Sequence, residues 1–139
     1  AWTWLPVARF ESVRFSNIPG FGGVSVSGNR LPYAPARTLT TTVGYAHPRG
    51  LDLLLEAQHV GEQFADDLNT VPSTADGQRG LLPAMTVWNA SVTYRLTRLP
   101  LTLFGTVKNL SDLTAIVDRS RGILPNAPRL LQVGARVTF

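Results

Sequence analysis

The stretch LLQVGARVTF, residues 130–139, alternates without a break. Leu131, Val133, Ala135, Val137 and Phe139 are apolar, while Gln132, Gly134, Arg136 and Thr138 lie between them. Side chains that repeat with period two point to opposite faces of a β-strand, so this segment reads as a strand with one apolar and one polar face. The same pattern recurs upstream. In residues 85–97, MTVWNASVTYRLT, Trp88, Ala90, Val92, Tyr94 and Leu96 share one face and Asn89, Ser91, Thr93 and Arg95 the other. Residues 37–47 set Leu39, Thr41, Val43 and Tyr45 against three threonines and Gly44, and residues 51–64 set Leu51, Leu53, Leu55 and Ala57 against Asp52, Leu54, Glu56 and Gln58. Leu101, Leu103 and Val107 continue the series, with Phe104 out of phase. With an opening segment at residues 1–10, weakened by Pro6, the pattern predicts about six strands and no helices.

The connections alternate in length. His47-Pro48-Arg49-Gly50 fits a three-residue hairpin loop with Gly50 in the left-handed conformation, a register that sets Tyr45 opposite Leu53 and Val43 opposite Leu55. A two-residue loop at Arg98-Leu99 sets Tyr94 opposite Leu103 and Ala90 opposite Val107. In both hairpins the apolar faces coincide. Three long segments rich in Gly, Pro, Asn and Asp separate the hairpins, at residues 16–35, 65–83 and 111–128. Short turns at one end and long loops at the other are the organisation of a membrane β-barrel, and strands of this length suffice to cross a bilayer at a tilt.

Composition excludes several classes. An apolar fraction of 44% with 16% charged residues belongs to a chain that folds rather than a disordered one. The net charge of +4 comes from scattered arginines without a basic run or basic-aromatic cluster, so no nucleic-acid partner is expected. There is no cysteine, hence no disulfide and no thiolate metal site. No run approaches the length of a membrane helix. The opening AWTWLPVARF carries no targeting pattern and reads as the middle of a strand, so a truncated chain is expected.

Periodicity leaves the destination of the apolar face open. In a soluble sandwich or small barrel it meets a core, and Leu53, Val92 and Val133 are buried; in a membrane barrel it meets lipid and the polar face lines the lumen. Strand length, the placing of Tyr45, Tyr94 and Phe139 near the short-turn end as an interfacial girdle, and a strand that runs to the final residue favour lipid. A soluble all-β ligand-binding module is the alternative.

Five runs in order, GNRLPYAPARTL at 28–39, VGEQFADDLNTV at 60–71, LPAMTVWNASVTYRL at 82–96, LTLFGTVKNLSD at 101–112 and APRLLQVGARVTF at 127–139, resemble the carboxyl-terminal end of TonB-dependent outer-membrane receptors, the ferric-citrate and ferric-siderophore branch above all. Asn109, Leu110 and Asp112, the APR before the last strand and Phe139 match the family pattern; Thr114-Ala115-Ile116 departs from it where an aromatic often follows. The resemblance implies that the whole chain, 1–139, is the last part of a 22-stranded transmembrane barrel in the Gram-negative outer membrane, its plug domain and earlier strands absent. It implies uptake of a ferric siderophore, ferric citrate included, driven through the TonB complex by the missing amino-terminal part. It further implies that Leu131, Val133, Ala135, Val137 and Phe139 form the signal read by the barrel-assembly machinery, with outer-membrane lipid around the wall.

An anionic, oxygen-rich chelate would be held by guanidinium groups on the loops and upper lumen, which makes Arg30, Arg79, Arg119, Arg121 and Arg129 the candidate ligand-binding residues. Taken one at a time, a loop arginine is more often solvated, bound to lipopolysaccharide phosphate, or paired with a neighbouring carboxylate. Glu56, Arg95, Lys108 and Arg136 are expected to form an ion-pair lattice on the lumen side, against the plug or one another. Asp66 and Asp67 form an acidic pair better read as turn formers than as a calcium site, and no metal or cofactor is expected. An enzyme is not expected either: His59 lies in a strand, and the chain has neither a nucleophile elbow nor an HExxH motif.

Overall fold

The computed structural model describes residues 1–138. Ten strands occur in chain order: β1 (Trp2–Trp4), β2 (Arg37–His47), β3 (Leu51–Val60), β4 (Gln63–Phe64), β5 (Leu81–Leu82), β6 (Met85–Arg95), β7 (Leu101–Lys108), β8 (Ile116–Asp118), β9 (Leu124–Pro125) and β10 (Leu130–Val137). Six of them form one antiparallel sheet in the order β1-β2-β3-β6-β7-β10. Neighbours in the sheet follow one another along the chain, as an up-and-down meander requires. The remaining four make two small ribbons, β4-β5 and β8-β9, within the long loops.

The registers agree with those read from the turns. Tyr45 faces Leu53 and Val43 faces Leu55 across β2 and β3, and Tyr94 faces Leu103 and Ala90 faces Val107 across β6 and β7. Gly50 takes φ 88° and donates its N–H to the His47 carbonyl at 2.9 Å, closing the three-residue loop. The β6-β7 turn is wider than the expected two residues. Its closing bond runs from the Leu96 N–H to the Leu101 carbonyl at 2.9 Å, because Pro100 has no N–H with which to close a tighter turn.

Two strand boundaries differ from expectation. The first strand is only Trp2–Trp4, since Pro6 cannot donate to the ladder. Pairing nevertheless continues beyond it as an irregular hairpin, with backbone bonds from Leu5 to Ala36, Leu31 to Ala8, Phe10 to Asn29, Val26 to Arg14 and Ser16 to Val24. The expected loop at 16–35 is therefore the upper part of a longer paired loop over residues 5–36. The third strand stops at Val60, where the Gly61 N–H bonds the Arg37 carbonyl, and Gln63–Phe64 pair with Leu81–Leu82 instead.

Continuous rows cross the apolar face. Val43, Leu55, Ala90, Val107 and Leu131 form one; Tyr45, Leu53, Val92, Gly105 and Val133 the next; His47, Leu51, Tyr94, Leu103 and Ala135 the third. Nothing covers them among the described residues. Leu53, Val92 and Val133 are 42%, 39% and 79% exposed, against the burial that a soluble module requires. An apolar surface this large and continuous on a protein in water is costly, whereas in a bilayer it is the solvated side. Tyrosines 45 and 94 flank the short-turn end as expected, and at the opposite end Trp2 lies against Leu39 and Trp88 against Ala57, a second aromatic level that sequence reading overlooked. Phe139 lies outside the described residues.

The opposite face carries Thr38, Thr40, Thr42, Glu56, Gln58, Asn89, Ser91, Thr93, Thr106 and Gln132. Phe104, the residue out of phase, points to this side and lies over Gly134 of the neighbouring strand, where a Cβ would collide with its ring. The glycine leaves room for the aromatic, and the aromatic covers the backbone that glycine exposes. Glu56, Arg95, Lys108 and Arg136 do not pair with one another among the described residues: of the four only Arg95 pairs, with Asp52 at 2.8 Å. Register explains the difference, because Glu56 faces Asn89 rather than a cation and accepts from the Asn89 and Gln58 side-chain amides, each at 2.8 Å.

Candidate functional site in the loop cluster

The interior of the described residues is in the loops, not the sheet. Val26 and Leu82 are the buried hydrophobic residues, and Ser16, Asp66, Asn109 and Arg119 the buried polar ones. All but Leu82 lie outside the strands. Three loops, at residues 5–36, 61–84 and 109–129, are held together by polar side chains that reach from one to the next.

Asp67 joins the first loop to the second. Its carboxylate accepts from the Ser16 hydroxyl at 2.9 Å and the Asn17 N–H at 3.1 Å, while its carbonyl accepts from the Asn29 amide at 2.8 Å. Asn69 adds a reciprocal pair with the Arg30 backbone, accepting at 2.7 Å and donating at 2.9 Å. Asp66 turns inward to the Thr70 N–H and hydroxyl, at 3.2 and 3.0 Å. Both aspartates serve as turn formers and loop ties; no cluster of three metal-ligating side chains occurs among the described residues.

The third loop closes on itself through Asn109, whose side chain accepts from the Leu113 N–H at 2.9 Å and donates to the Leu113 and Ala127 carbonyls at 2.9 and 3.0 Å. Asp112 accepts from the Arg129 N–H at 3.1 Å and pairs with the Arg129 guanidinium at 3.5 Å. The NL-x-D and APR elements are therefore two halves of one latch. Local electrostatics follow the same hydrogen bonds. The Ser120 hydroxyl and N–H, with the Tyr33 hydroxyl, hold the Asp118 carboxyl down to about 2. Burial pushes the Tyr33 phenol up. The Thr74 hydroxyl and the Gln78 N–H lower Asp76.

These positions sort the five candidate arginines. Arg79 lines a cleft of about 670 Å³ between the loops, together with Arg14, Asp67, Asp76, Gln78 and Ser120. Its guanidinium lies 4.9 Å from the centre of the Phe21 ring, and Arg14 stacks likewise on Phe10 at 5.3 Å. Aromatic backing fixes the plane of a guanidinium while leaving its N–H edge free for an oxygen-rich ligand. The cleft carries both signs of charge, so it suits a ligand with donors as well as acceptors. Arg30 donates to the Ala34 carbonyl at 3.3 Å and Arg129 is engaged by Asp112. Arg121 is exposed and lines a neighbouring cavity of about 540 Å³ that meets the cleft at Ser120. Arg119 is buried, donating to the Gly77 carbonyl and the Ser73 hydroxyl. The structure thus does not bring the five together. Arg14 was not singled out from sequence, although Phe10 four residues before it was a readable sign; the pairing of Phe21 with Arg79 had none.

His59 in β3 contacts the Thr86 hydroxyl at 2.9 Å on the apolar face.

The family described as TonB dependent receptor-like, beta-barrel, matches residues 1–110. Among solved structures, the ferric citrate transporter FecA in its unliganded form is 32% identical with a TM-score of 0.69, over 79% of this chain and 18% of that one. The siderophore receptor PiuA from Acinetobacter baumannii is 20% identical with a TM-score of 0.64, over 79% of this chain and 14% of that one. The ferric-catecholate import receptor Fiu from E. coli K12 in its closed form is 22% identical with a TM-score of 0.63, over 81% and 16%. The last two share the fold. The chain spans less than a fifth of the length of each of these structures. These relatives are transport receptors, not enzymes, and with a bare apolar face, short turns at one end and tied loops at the other, the chain belongs to the TonB-dependent receptor β-barrel family.

Proposed function

We propose that residues 1–139 are the carboxyl-terminal part of a Gram-negative outer-membrane receptor that takes up a ferric siderophore with energy delivered through TonB, and that ferric citrate is the first chelate to test. The observation that carries this reading is the 32% identity to a ferric citrate transporter across 79% of the chain, over a sheet whose apolar face has no cover among the described residues. In this reading the plug domain, the TonB contact and the remaining strands of a 22-stranded barrel belong to other parts of the receptor. This part supplies wall, extracellular loops and the assembly signal. Leu131, Val133, Ala135 and Val137 fall on the lipid-side face of β10, which supports a role for that strand, with Phe139, in presentation to the barrel-assembly machinery. Arg79 and Arg14 are the ligand contacts that the cleft favours; Arg30, Arg119 and Arg129 serve the loops in the first instance, and Arg121 is exposed.

The test is uptake of radioactive ferric citrate by iron-starved cells whose sole candidate receptor is the full-length protein. Uptake that needs both the receptor and TonB is expected. Uptake that persists without the receptor refutes the citrate assignment, and a panel of other ferric chelates under the same conditions tests the wider one.

A further inference from the structure

We infer that the three loops form one clamp, with Arg119 as its keystone, so that they hold a single arrangement or lose it together. The inference concerns the mechanics of the loops and stands whichever chelate the receptor takes.

Arg119 and Tyr33 between them touch all three loops. The Arg119 guanidinium, in a residue only 3% exposed, donates from Nη1 to the Gly77 carbonyl at 3.0 Å and from Nη2 to the Ser73 hydroxyl at 2.9 Å, both in the second loop. Its backbone N–H donates to the Tyr33 hydroxyl at 3.1 Å, and that hydroxyl donates to Asp118 at 2.8 Å. The Tyr33 N–H in turn donates to the Phe64 carbonyl at 2.8 Å. Among the described residues Arg119 has no carboxylate partner, and its Nε has no acceptor. A charged group buried among neutral acceptors is tolerated only where surrounding contacts over-determine its place.

Backbone strain points to the same joints. Four non-glycine residues adopt positive φ: Tyr33 at 54°, Asn69 at 55°, Asn109 at 50° and Asp112 at 54°. Such conformations cost energy for residues other than glycine, and most for a bulky one such as Tyr33. Each lies at a tie: Tyr33 where three loops meet, Asn69 where the first meets the second, Asn109 and Asp112 where the third closes. Gly77, whose carbonyl receives Arg119, sits at φ 72° against Ile123 of the third loop, with 3.0 Å between a notional Cβ and Cγ1. Little apolar burial would hold these loops if the ties opened, since Val26 and Leu82 are the fully buried side chains. The turn that accepts Arg119 also presents Arg79, so the keystone positions a wall of the cleft without touching what binds there.

Hydrogen exchange on purified full-length receptor in detergent micelles tests this, with Arg119→Ala compared against Arg121→Ala, its exposed near neighbour. In Arg119→Ala, exchange rising at least about tenfold in peptides from all three loops, with β2, β3, β6 and β7 unchanged, is the expected result. Arg121→Ala leaves the loops as they were. A rise confined to residues 109–129, or none at all, overturns the inference. If Arg119→Ala fails to assemble, Tyr33→Phe, which removes one hydroxyl and keeps the ring, is judged by the same two outcomes.

Discussion

Leu54 and Leu55 are adjacent in β3, nearly equally exposed at 45% and 40%, and on opposite faces of the sheet. In water their replacement by arginine should have similar, small effects, because neither is packed. In a bilayer the two differ. Leu55 lies in the row of Val43 and Ala90, four residues along β2 from the His47 row that includes Tyr94 and four from the Leu39 level that Trp2 meets. At a rise of about 3.3 Å per residue and a tilt near 45°, that is roughly 9 Å from either aromatic level, close to the midplane. An arginine there costs about 2–4 kcal/mol, a factor of roughly 30 to 900 in the folding equilibrium. Leu103→Arg, in the row of Tyr94, should cost about 0–1 kcal/mol. Leu54→Arg faces the polar side and should be near neutral. The assay is the fraction of full-length receptor that migrates as a folded, heat-modifiable species after assembly in lipid vesicles, read across a urea series. Equal losses for Leu54→Arg and Leu55→Arg, or full folding of Leu55→Arg, would refute the assignment of this face to lipid.

Gly50→Ala should lower the folded yield by about 1–3 kcal/mol in the same assay, since φ is positive there and a Cβ would collide with the Arg95 carbonyl. Asn109→Ala should destabilise the third loop by about 1–3 kcal/mol, leaving the part-buried Leu113 N–H without an acceptor and the Leu113 and Ala127 carbonyls with the Asn126 amide alone; protease sensitivity at residues 111–127 reports it. Arg79→Ala should weaken chelate binding by about tenfold while Arg121→Ala leaves it within twofold, and titration of the purified receptor with ferric citrate separates them. Asp118 has a depressed folded-state value of about 2, so its contribution to loop order is complete above about pH 4 and is lost as the pH falls toward 2. A dye on a cysteine introduced at Ala75 should therefore report constant loop environment from pH 8 to 5 and a change between about 4 and 2 that Asp118→Asn reduces, the remainder belonging to Asp76 beside the dye.

The sequence by itself determined that the main sheet has six strands, the registers of its β2-β3 and β6-β7 hairpins and which of their residues share a face. Alternation is a property of each segment alone, and a three-residue turn with glycine at its end leaves no freedom in how Tyr45 meets Leu53. The family pattern NL-x-D was legible in the same way, as letters, though its work was not: only the fold brings Asp112 beside Arg129 and turns Asn109 into a clasp. Tertiary structure alone decided that the apolar face is bare among the described residues, because periodicity is identical for a face that meets a core and one that meets lipid. It also decided the fate of the five arginines. Contacts such as Ser16 to Asp67, or Arg119 to Ser73, join residues far apart in sequence through single hydrogen bonds that no local pattern encodes. A buried tie and a ligand contact draw on the same guanidinium, and what distinguishes Arg119 from Arg79 is whether neighbouring loops have already supplied its acceptors.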